Sequence, residues 1–423
     1  MKTFHSITLF VESITERKFS FVKIRKEVKS AMEQLHVEKL RPNQLKPINR
    51  ILDGKDTLLI AATSFGKSLI AQIPAIILKD KLTVIIEPLT ALSHDQVEKL
   101  QNLGIVADYL DSTQSKDEQQ RVLKMLKKRE LTLLYLSPEK LNPECIPHEI
   151  YKNDIGLVVV DECHCVTFWG YTFREDYLHI GDFIDSLKHH PTVLAMTASA
   201  PPEDRSEIME LLSMQDAKCI TTSLYRSNLH FMKHAVTSRS EQLKVLKKYM
   251  KKFHKHTTII YCSTKNTVEE VAKRLKKIYP GEVVAYHGKD KRGEKDMLSG
   301  KKHIIVATSA LAMGVSIRDV DLVIHYNMPL SIPDYYQMSG RAGREGQKAR
   351  SILIYNSSDY QSNRYLLEDI DDPNTRKIVM ERLDAMKELC EDREHCIYTM
   401  ILSALGEKRK TRCRYCTNCQ KER

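Results

Sequence analysis

The chain has 423 residues, 42% of them hydrophobic and 29% charged, enough for two or three domains with sizeable cores and too apolar for general disorder. Its net charge of +11 favours a polyanionic partner such as nucleic acid or an anionic membrane surface. A membrane-spanning or secreted chain is disfavoured. No run approaches the roughly eighteen apolar residues that cross a bilayer, and the N-terminal Leu-Phe-Val run meets Glu12 at once, without a cleavage-site pattern.

Residues 1–30 read as a helical N-terminal extension with no assignable chemistry. From there, short β-branched runs alternate with helical patterns. Five candidate strands are DTLLIAA (56–62), LTVIIEP (82–88), LTLLYLS (131–137), IGLVVVDE (155–162) and TVLAMTAS (192–199). Five more follow: TTIIYCS (257–263), EVVAYH (282–287), HIIVATS (303–309), LVIHYN (322–327) and SILIYN (351–356). Apolar runs of this length separated by helices predict buried parallel strands in α/β layers. Between the two sets, EQLKVLKKYMKKF (241–253) carries apolar residues at helical spacing among lysines, the pattern of an amphipathic surface helix. After about residue 365 the β pattern stops, and the chain becomes helical, then cysteine-rich. Two α/β domains are expected, at 31–222 and 223–368, with a small third unit at 369–423.

The first chemistry follows the first strand. Thr63-Ser64-Phe65-Gly66-Lys67-Ser68 opens a helical pattern, and strand, loop, Gly-Lys-Ser and helix together are the context of a phosphate-binding loop. Backbone N–H groups at a helix N-terminus cradle phosphate oxygens, Lys67 would neutralise the β- and γ-phosphates, and Ser68 would ligate Mg²⁺. Ala61 stands where the strict pattern has its first glycine. The expected partner of such a loop is present: Asp161-Glu162 ends the apolar strand IGLVVV, where an acidic pair would hold Mg²⁺ and polarise the attacking water. ATP binding and hydrolysis are therefore expected.

Directly after that pair, CHCVTFWGYTFREDY (163–177) holds the single tryptophan, and five of its last ten residues are aromatic. A core spreads its rings over many elements, whereas a binding loop concentrates them. In the second domain, Gln337-Met338-Ser339-Gly340-Arg341-Ala342-Gly343-Arg344 offers arginines that a neighbouring domain could insert against a γ-phosphate. At the C-terminal end, Cys413-x₂-Cys416-x₂-Cys419 is preceded by Cys396, four thiolates suited to a closed tetrahedral Zn²⁺. Cys390 and His395 are rival ligands, but residues six apart on a helix do not share a face, so Cys390 reads as a packing residue. The other cysteines are scattered, as in a reduced intracellular protein.

In this order, LRPNQ (40–44), ATSFGKS (62–68), PLTALSHDQV (88–97), YLSPEKL (135–141), DECH (161–164), TASA (197–200), IIYC (259–262), AYHG (285–288), VATSALAMGV (306–315) and YYQMSGRAGREG (335–346) resemble a superfamily 2 helicase, most closely the RecQ family. The resemblance covers roughly residues 30 to 420 and implies two RecA-like parallel-sheet domains in tandem with a helical zinc-binding module. It further implies that Arg41 and Gln44 contact adenine, that His164, Thr197 and Ser199 couple the ATP state to domain closure, and that Gln337, Arg341 and Arg344 complete the catalytic set, Arg344 as the main finger. The aromatic stretch becomes a single-stranded DNA loop, with Trp169 and Phe173 stacking on bases at roughly 1–3 kcal/mol each and Arg174 near phosphate. The implied activity is ATP-driven 3′→5′ translocation on single-stranded and partly duplex DNA in repair or recombination. The implied location is intracellular, in the cytoplasm or nucleoid of a bacterium or the nucleus of a eukaryote. An RNA helicase and a DNA-binding scaffold with weak ATPase are the competing readings. The chain departs from the family pattern at Val37 in place of an aromatic residue, at Ser64 in place of a glycine, at Tyr171-Thr172 and at Ser316. It stops four residues after Cys419, with no winged helix, which predicts weaker strand separation.

Overall fold

The computed structural model describes residues 24–420 apart from 89, 143–145, 168–174, 289–292, 294–295, 298, 314–316 and 318. Thirteen strands among these residues form two sheets, with every pairing parallel. The first sheet holds β1 (Thr57–Ile60), β2 (Leu82–Ile86), β3 (Ala107–Leu110), β4 (Leu133–Leu136), β5 (Ile155–Asp161), β6 (Thr192–Thr197) and β7 (Lys218–Thr221), in the order β3-β4-β2-β5-β6-β1-β7. The second holds β8 (Leu229–Val236), β9 (Thr257–Tyr261), β10 (Val283–Tyr286), β11 (Ile304–Ala307), β12 (Val320–His325) and β13 (Ala349–Asn356), in the order β10-β11-β9-β12-β13-β8. Two RecA-like sheets followed by a helical cysteine module are the fold class the sequence predicts.

Both faces of each sheet are buried, which is why the strands read as continuous apolar runs rather than alternating ones. In β1, Leu58 and Ile60 enter one core cluster while Leu59 enters another. The larger cluster joins one face of each sheet to the C-terminal helices through Leu383, Met386, Tyr398 and Ile401. The structure adds three strands the pattern did not show: β3, β7 and β8. Each lies at a sheet edge, where exposed Lys218, half-buried His230 and the buried but paired Asp108 and Lys233 break the apolar run. The lysine-rich segment forms the helix Arg239–Phe253, with Leu246, Tyr249 and Met250 turned inward.

The C-terminal unit comprises the helices Pro373–Glu391 and Ile397–Ala404 and the short turn Thr417–Gln420. It touches both sheets' domains. Arg382 pairs with Asp204 of the first domain, and Arg205 donates to the Leu405 carbonyl at 2.9 Å. Lys233 of β8 donates to the carbonyls of Leu389 and Asp392 at the C-terminal end of the long helix, where the helix dipole favours a cation. No helix among the described residues is long and apolar enough to cross a membrane.

Candidate active site and metal centre

In a parallel sheet, ligands bind beyond the carboxyl ends of the strands, near where the strand order reverses. β1, β5 and β6 deliver the phosphate loop, the acidic pair and Thr197 to that one edge. The loop is tightly wound: Ser64 has φ +70° and Gly66 φ +88°, both left-handed. For Ser64 this costs roughly 1–2 kcal/mol relative to a glycine, the strain that its replacement of a glycine predicts. Gly66 is required twice over, because a Cβ there would also stand 2.6 Å from Gln44 Nε2.

Gln44 and Arg41 are both engaged with this loop. Gln44 Nε2 donates to the Phe65 carbonyl at 2.8 Å, its Oε1 accepts the Arg41 N–H at 2.7 Å, and the Arg41 guanidinium donates to the Ser64 carbonyl. Thr63, buried, donates to the Gly340 carbonyl of the second domain at 3.1 Å. Lys67 begins the helix Lys67–Ile77, and its Nζ lies 3.4 Å from Asp161 Oδ1.

The charges at the centre are partly buried and interdependent. Burial opposes the Lys67 ammonium, but the Asp161 and Glu162 carboxylates more than offset this and hold its pKa above the ordinary value. Burial raises Asp161, against the pull of Lys67. Burial would raise Glu162 too, yet Lys67, His164, Arg341 and Arg344 bring it below the usual range. Glu162 itself sits at φ +50°. The Arg344 guanidinium is pushed down to about 9 by burial first and by the neighbouring Arg341 second. Buried Arg344 Nε, Glu162 Oε2 and Ser199 Oγ have no hydrogen-bond partner among the described residues. Arg341 and Arg344 lie close enough to repel each other, and a buried Arg344 Nε that makes no hydrogen bond among the described residues is a donor that an anionic ligand would complete.

The proposed coupling residues also meet. Thr197 Oγ1 stands 2.8 Å from His164 Nδ1 and accepts the Ser199 N–H at 3.1 Å, while His164 Nδ1 is 3.5 Å from Glu162 Oε2. Burial lowers the His164 pKa, keeping the ring neutral near pH 7, and Gln337 of the second domain approaches it. A cleft of about 470 Å³ opens beside these groups, walled by Leu35, Val37, Ser68 and Leu69 on one side and Ile317, Arg341 and Arg344 on the other. Trp169, Phe173 and Arg174 lie outside the described residues, as does Ser316.

Sequence reasoning missed Glu87 and Arg226. Glu87 follows β2 at the same sheet edge, is 3% exposed and accepts a hydrogen bond from Ser93. Burial first, and the nearby Asp161 and Glu162 after it, push its carboxyl up to about 8. An acid closing an apolar strand, as in IIEP, is the same signal that marks Asp161. Arg226 carries no pattern of its own.

Cys396, Cys413, Cys416 and Cys419 are buried, with all four Sγ atoms within 4.8 Å of one another. The Cys396–Cys416 and Cys413–Cys419 sulfur pairs are 3.9 and 4.0 Å apart, close to the roughly 3.8 Å edge of a tetrahedron with Zn–S bonds of about 2.3 Å. Backbone N–H groups of Cys413 and Cys416 point at Cys396 Sγ and Cys413 Sγ at 3.3 Å each, as thiolates require. The donor set fits structural Zn²⁺. Cys390 is buried within the long helix outside this group, and exposed His395 pairs with Asp392 at 2.8 Å.

These features define a class: paired RecA-like domains enclosing a nucleotide cleft, with a cysteine-ligated helical module, as in superfamily 2 helicases. Three family descriptions match in tandem, "DEAD/DEAH box helicase" over residues 41–208, "Helicase conserved C-terminal domain" over 241–346 and "RecQ zinc-binding" over 357–420. The ATP-dependent DNA helicase RecQ of Haemophilus influenzae is 33% identical over 387 residues, covering 90% of this chain and 61% of the relative. That of Bacillus subtilis is 32% identical, covering 90% and 65%. An Acanthamoeba polyphaga mimivirus protein named as an ATP-dependent RNA helicase is 32% identical, covering 93% and 72%. The chain belongs to the RecQ family, and it spans under two thirds of the length of the Haemophilus and Bacillus relatives. Among solved structures, Mycobacterium smegmatis helicase Lhr bound to ssDNA and AMP-PNP has a TM-score of 0.64 at 19% identity, covering 91% of this chain and 56% of that one. Dbp5 of S. cerevisiae bound to RNA and ADP BeF3 has a TM-score of 0.60 at 16% identity, covering 85% and 98%. At such identities the likeness is one of fold.

Proposed function

We propose that this chain is an ATP-dependent DNA translocase and helicase, its ATP hydrolysis stimulated by single-stranded DNA and its movement 3′→5′. The observation that carries the reading is the convergence of Lys67, Asp161 and Glu162 from one domain with Arg341 and Arg344 from the other, beside a cleft that Ser68, Arg341 and Arg344 line. The DNA preference is supported by RecQ relatives named for DNA, and polarity and a role in repair or recombination by the family resemblance.

In this reading Lys67 and the loop N–H groups from Thr63 to Ser68 bind the β- and γ-phosphates, with Arg41 and Gln44 fixing the loop and the adenine edge. Ser68 and Asp161 would hold Mg²⁺, which when bound neutralises phosphate charge. Glu162 orients the attacking water and accepts its proton, and His164 hands the Glu162 state to Thr197, Ser199 and Gln337. Arg344, with Arg341, meets the charge that grows on the γ-phosphate. A finger of this kind is worth about 10³–10⁵ in rate. Trp169, Phe173 and Arg174 hold the single strand. Zn²⁺ at the four cysteines is structural, closing a unit too small to fold on its own core.

A second reading, ATP-driven unwinding of RNA, is favoured by the mimivirus relative's name. Steady-state ATP turnover decides, measured without nucleic acid and then with single-stranded DNA, duplex DNA and RNA at one salt concentration. Stimulation by single-stranded DNA well above RNA is expected. Equal stimulation by RNA would move the assignment to the second reading, and no stimulation by any of them would move it to a scaffold.

A further inference from the structure

The linker between the two domains, residues 222–228, runs from β7 to β8. In its middle, Arg226 is 8% exposed, and burial lowers its pKa with no carboxylate among the described residues near enough to offset this. A buried guanidinium without a counter-ion is costly unless its donors are all used. Here they go to backbone. Nη1 donates to the Gly340 carbonyl at 3.0 Å and to Thr63 Oγ1 at 3.3 Å, and Nη2 donates to the Ala342 carbonyl at 2.7 Å and to that of Gly343. Those carbonyls belong to the turn that ends the helix Ile332–Ser339, where the dipole is negative, and the same turn bears Arg341 and Arg344.

The other side of Arg226 is held by the cysteine module. Its backbone N–H donates to Tyr398 Oη at 2.6 Å, and Tyr398 returns a hydrogen bond to the Arg226 carbonyl at 3.2 Å. Tyr398 is the second residue of the helix that Cys396, one of the four clustered thiols, caps. The linker is pinned further where Glu407 accepts the Leu224 N–H at 2.6 Å and Tyr336 Oη donates to the Leu224 carbonyl at 2.6 Å. Gly340 stands so close to the phosphate loop that a Cβ would meet Thr63 Oγ1 at 2.7 Å, so any shift of this turn moves the arginines relative to Lys67.

We infer that Arg226 is a positioning residue for the arginine pair, clamping the 340–343 turn against the phosphate loop, and that the cysteine module sets this clamp through Tyr398. The inference rests on the ATPase reading above. Only a planar fork of donors can serve three carbonyls and a hydroxyl at once, so lysine is a poor substitute.

The test compares the full-length wild type with Tyr398→Phe, which keeps the ring packing and removes only the hydroxyl, and with Arg226→Lys. ATP turnover with single-stranded DNA is expressed per nucleotide-binding site, titrated with a fluorescent ATP analogue, so that loss of folded protein does not count. Amide hydrogen exchange of residues 340–346 is measured alongside. For Tyr398→Phe, kcat should fall about 3- to 10-fold with KM for ATP within about twofold, and exchange in 340–346 should quicken. Arg226→Lys should lose more, about 10- to 100-fold in kcat. Wild-type kcat per site with unchanged exchange in both variants overturns the inference. So does a rise in KM alone, which would make Arg226 a determinant of nucleotide binding. A wild type that turns over no ATP would sink the ATPase reading, and exchange at 340–346 would still decide the clamp.

Discussion

The nucleotide cleft and the cysteine module solve opposite problems. In the cleft, Ser64 and Glu162 are held at positive φ, Arg341 and Arg344 lie close enough to repel, and buried Arg344 Nε, Glu162 Oε2 and Ser199 Oγ make no hydrogen bond among the described residues. Around the cysteines of the module, Asn418 Nδ2 reaches the Asp392 and His395 carbonyls, Lys233 caps the long helix, and N–H groups face the sulfurs. Backbone strain and unmet polar atoms beside a cleft mark where a substrate is to supply the missing partner, while donors satisfied around the cysteines mark where shape is to be kept. Function and stability should therefore respond separately to mutation in the two regions.

The largest expected effect is on the module. Stripping Zn²⁺ with a strong chelator removes binding energy on the order of 10 kcal/mol. Calorimetry and hydrogen exchange should then show cooperative loss of residues 373–420 before the sheets melt. Persistence of full protection after chelation would break the comparison from the module's side.

In the cleft, Lys67→Ala should reduce ATP turnover about 10²–10³-fold by removing a phosphate clamp. It should also lower Tm, because Asp161 and Glu162 are left facing each other without their cation, and the loss should deepen as pH rises. Thermal melts across pH would check that sign.

The smallest effect is expected at Glu87, whose carboxyl titrates near 8 when folded, against 4.5 as its ordinary value. The folded state thus binds the extra proton between these values, and stability falls as pH rises from 4.5 through 8. Glu87→Gln removes that penalty, so the protein without nucleotide should gain stability at pH 9 and almost none at pH 5. A gain of equal size at both pH values would show that Glu87 is ionised throughout.

The central strands were legible in the sequence because burial on both faces leaves nothing but apolar residues in runs such as VVV at 158–160. The edge strands β3, β7 and β8 were not, since an edge admits exposed Lys218, half-buried His230 and an Asp108 that is buried against Arg121. The site was legible where chemistry fixes residue type and spacing together, as at Lys67, at Asp161-Glu162 and in the cysteine cluster. It was hidden where the partner is backbone. Arg226 works through carbonyls of residues more than a hundred positions away, and carbonyls leave no trace in side-chain identity. Gln44 and Arg41 likewise show what a family pattern leaves unsaid, for in this structure their side chains engage the loop carbonyls of Ser64 and Phe65.

In the proposed function, Arg344 completes from the second domain a cleft built by the first. The direct measurement is nucleotide affinity, ATP turnover with single-stranded DNA, and Tm for the wild type and Arg344→Ala. A fall in kcat of about 10³-fold or more, with nucleotide affinity near wild type, is expected. Tm should be equal or higher, since a buried guanidinium beside Arg341 has been removed. Wild-type turnover in Arg344→Ala, or a marked fall in Tm, would contradict the account.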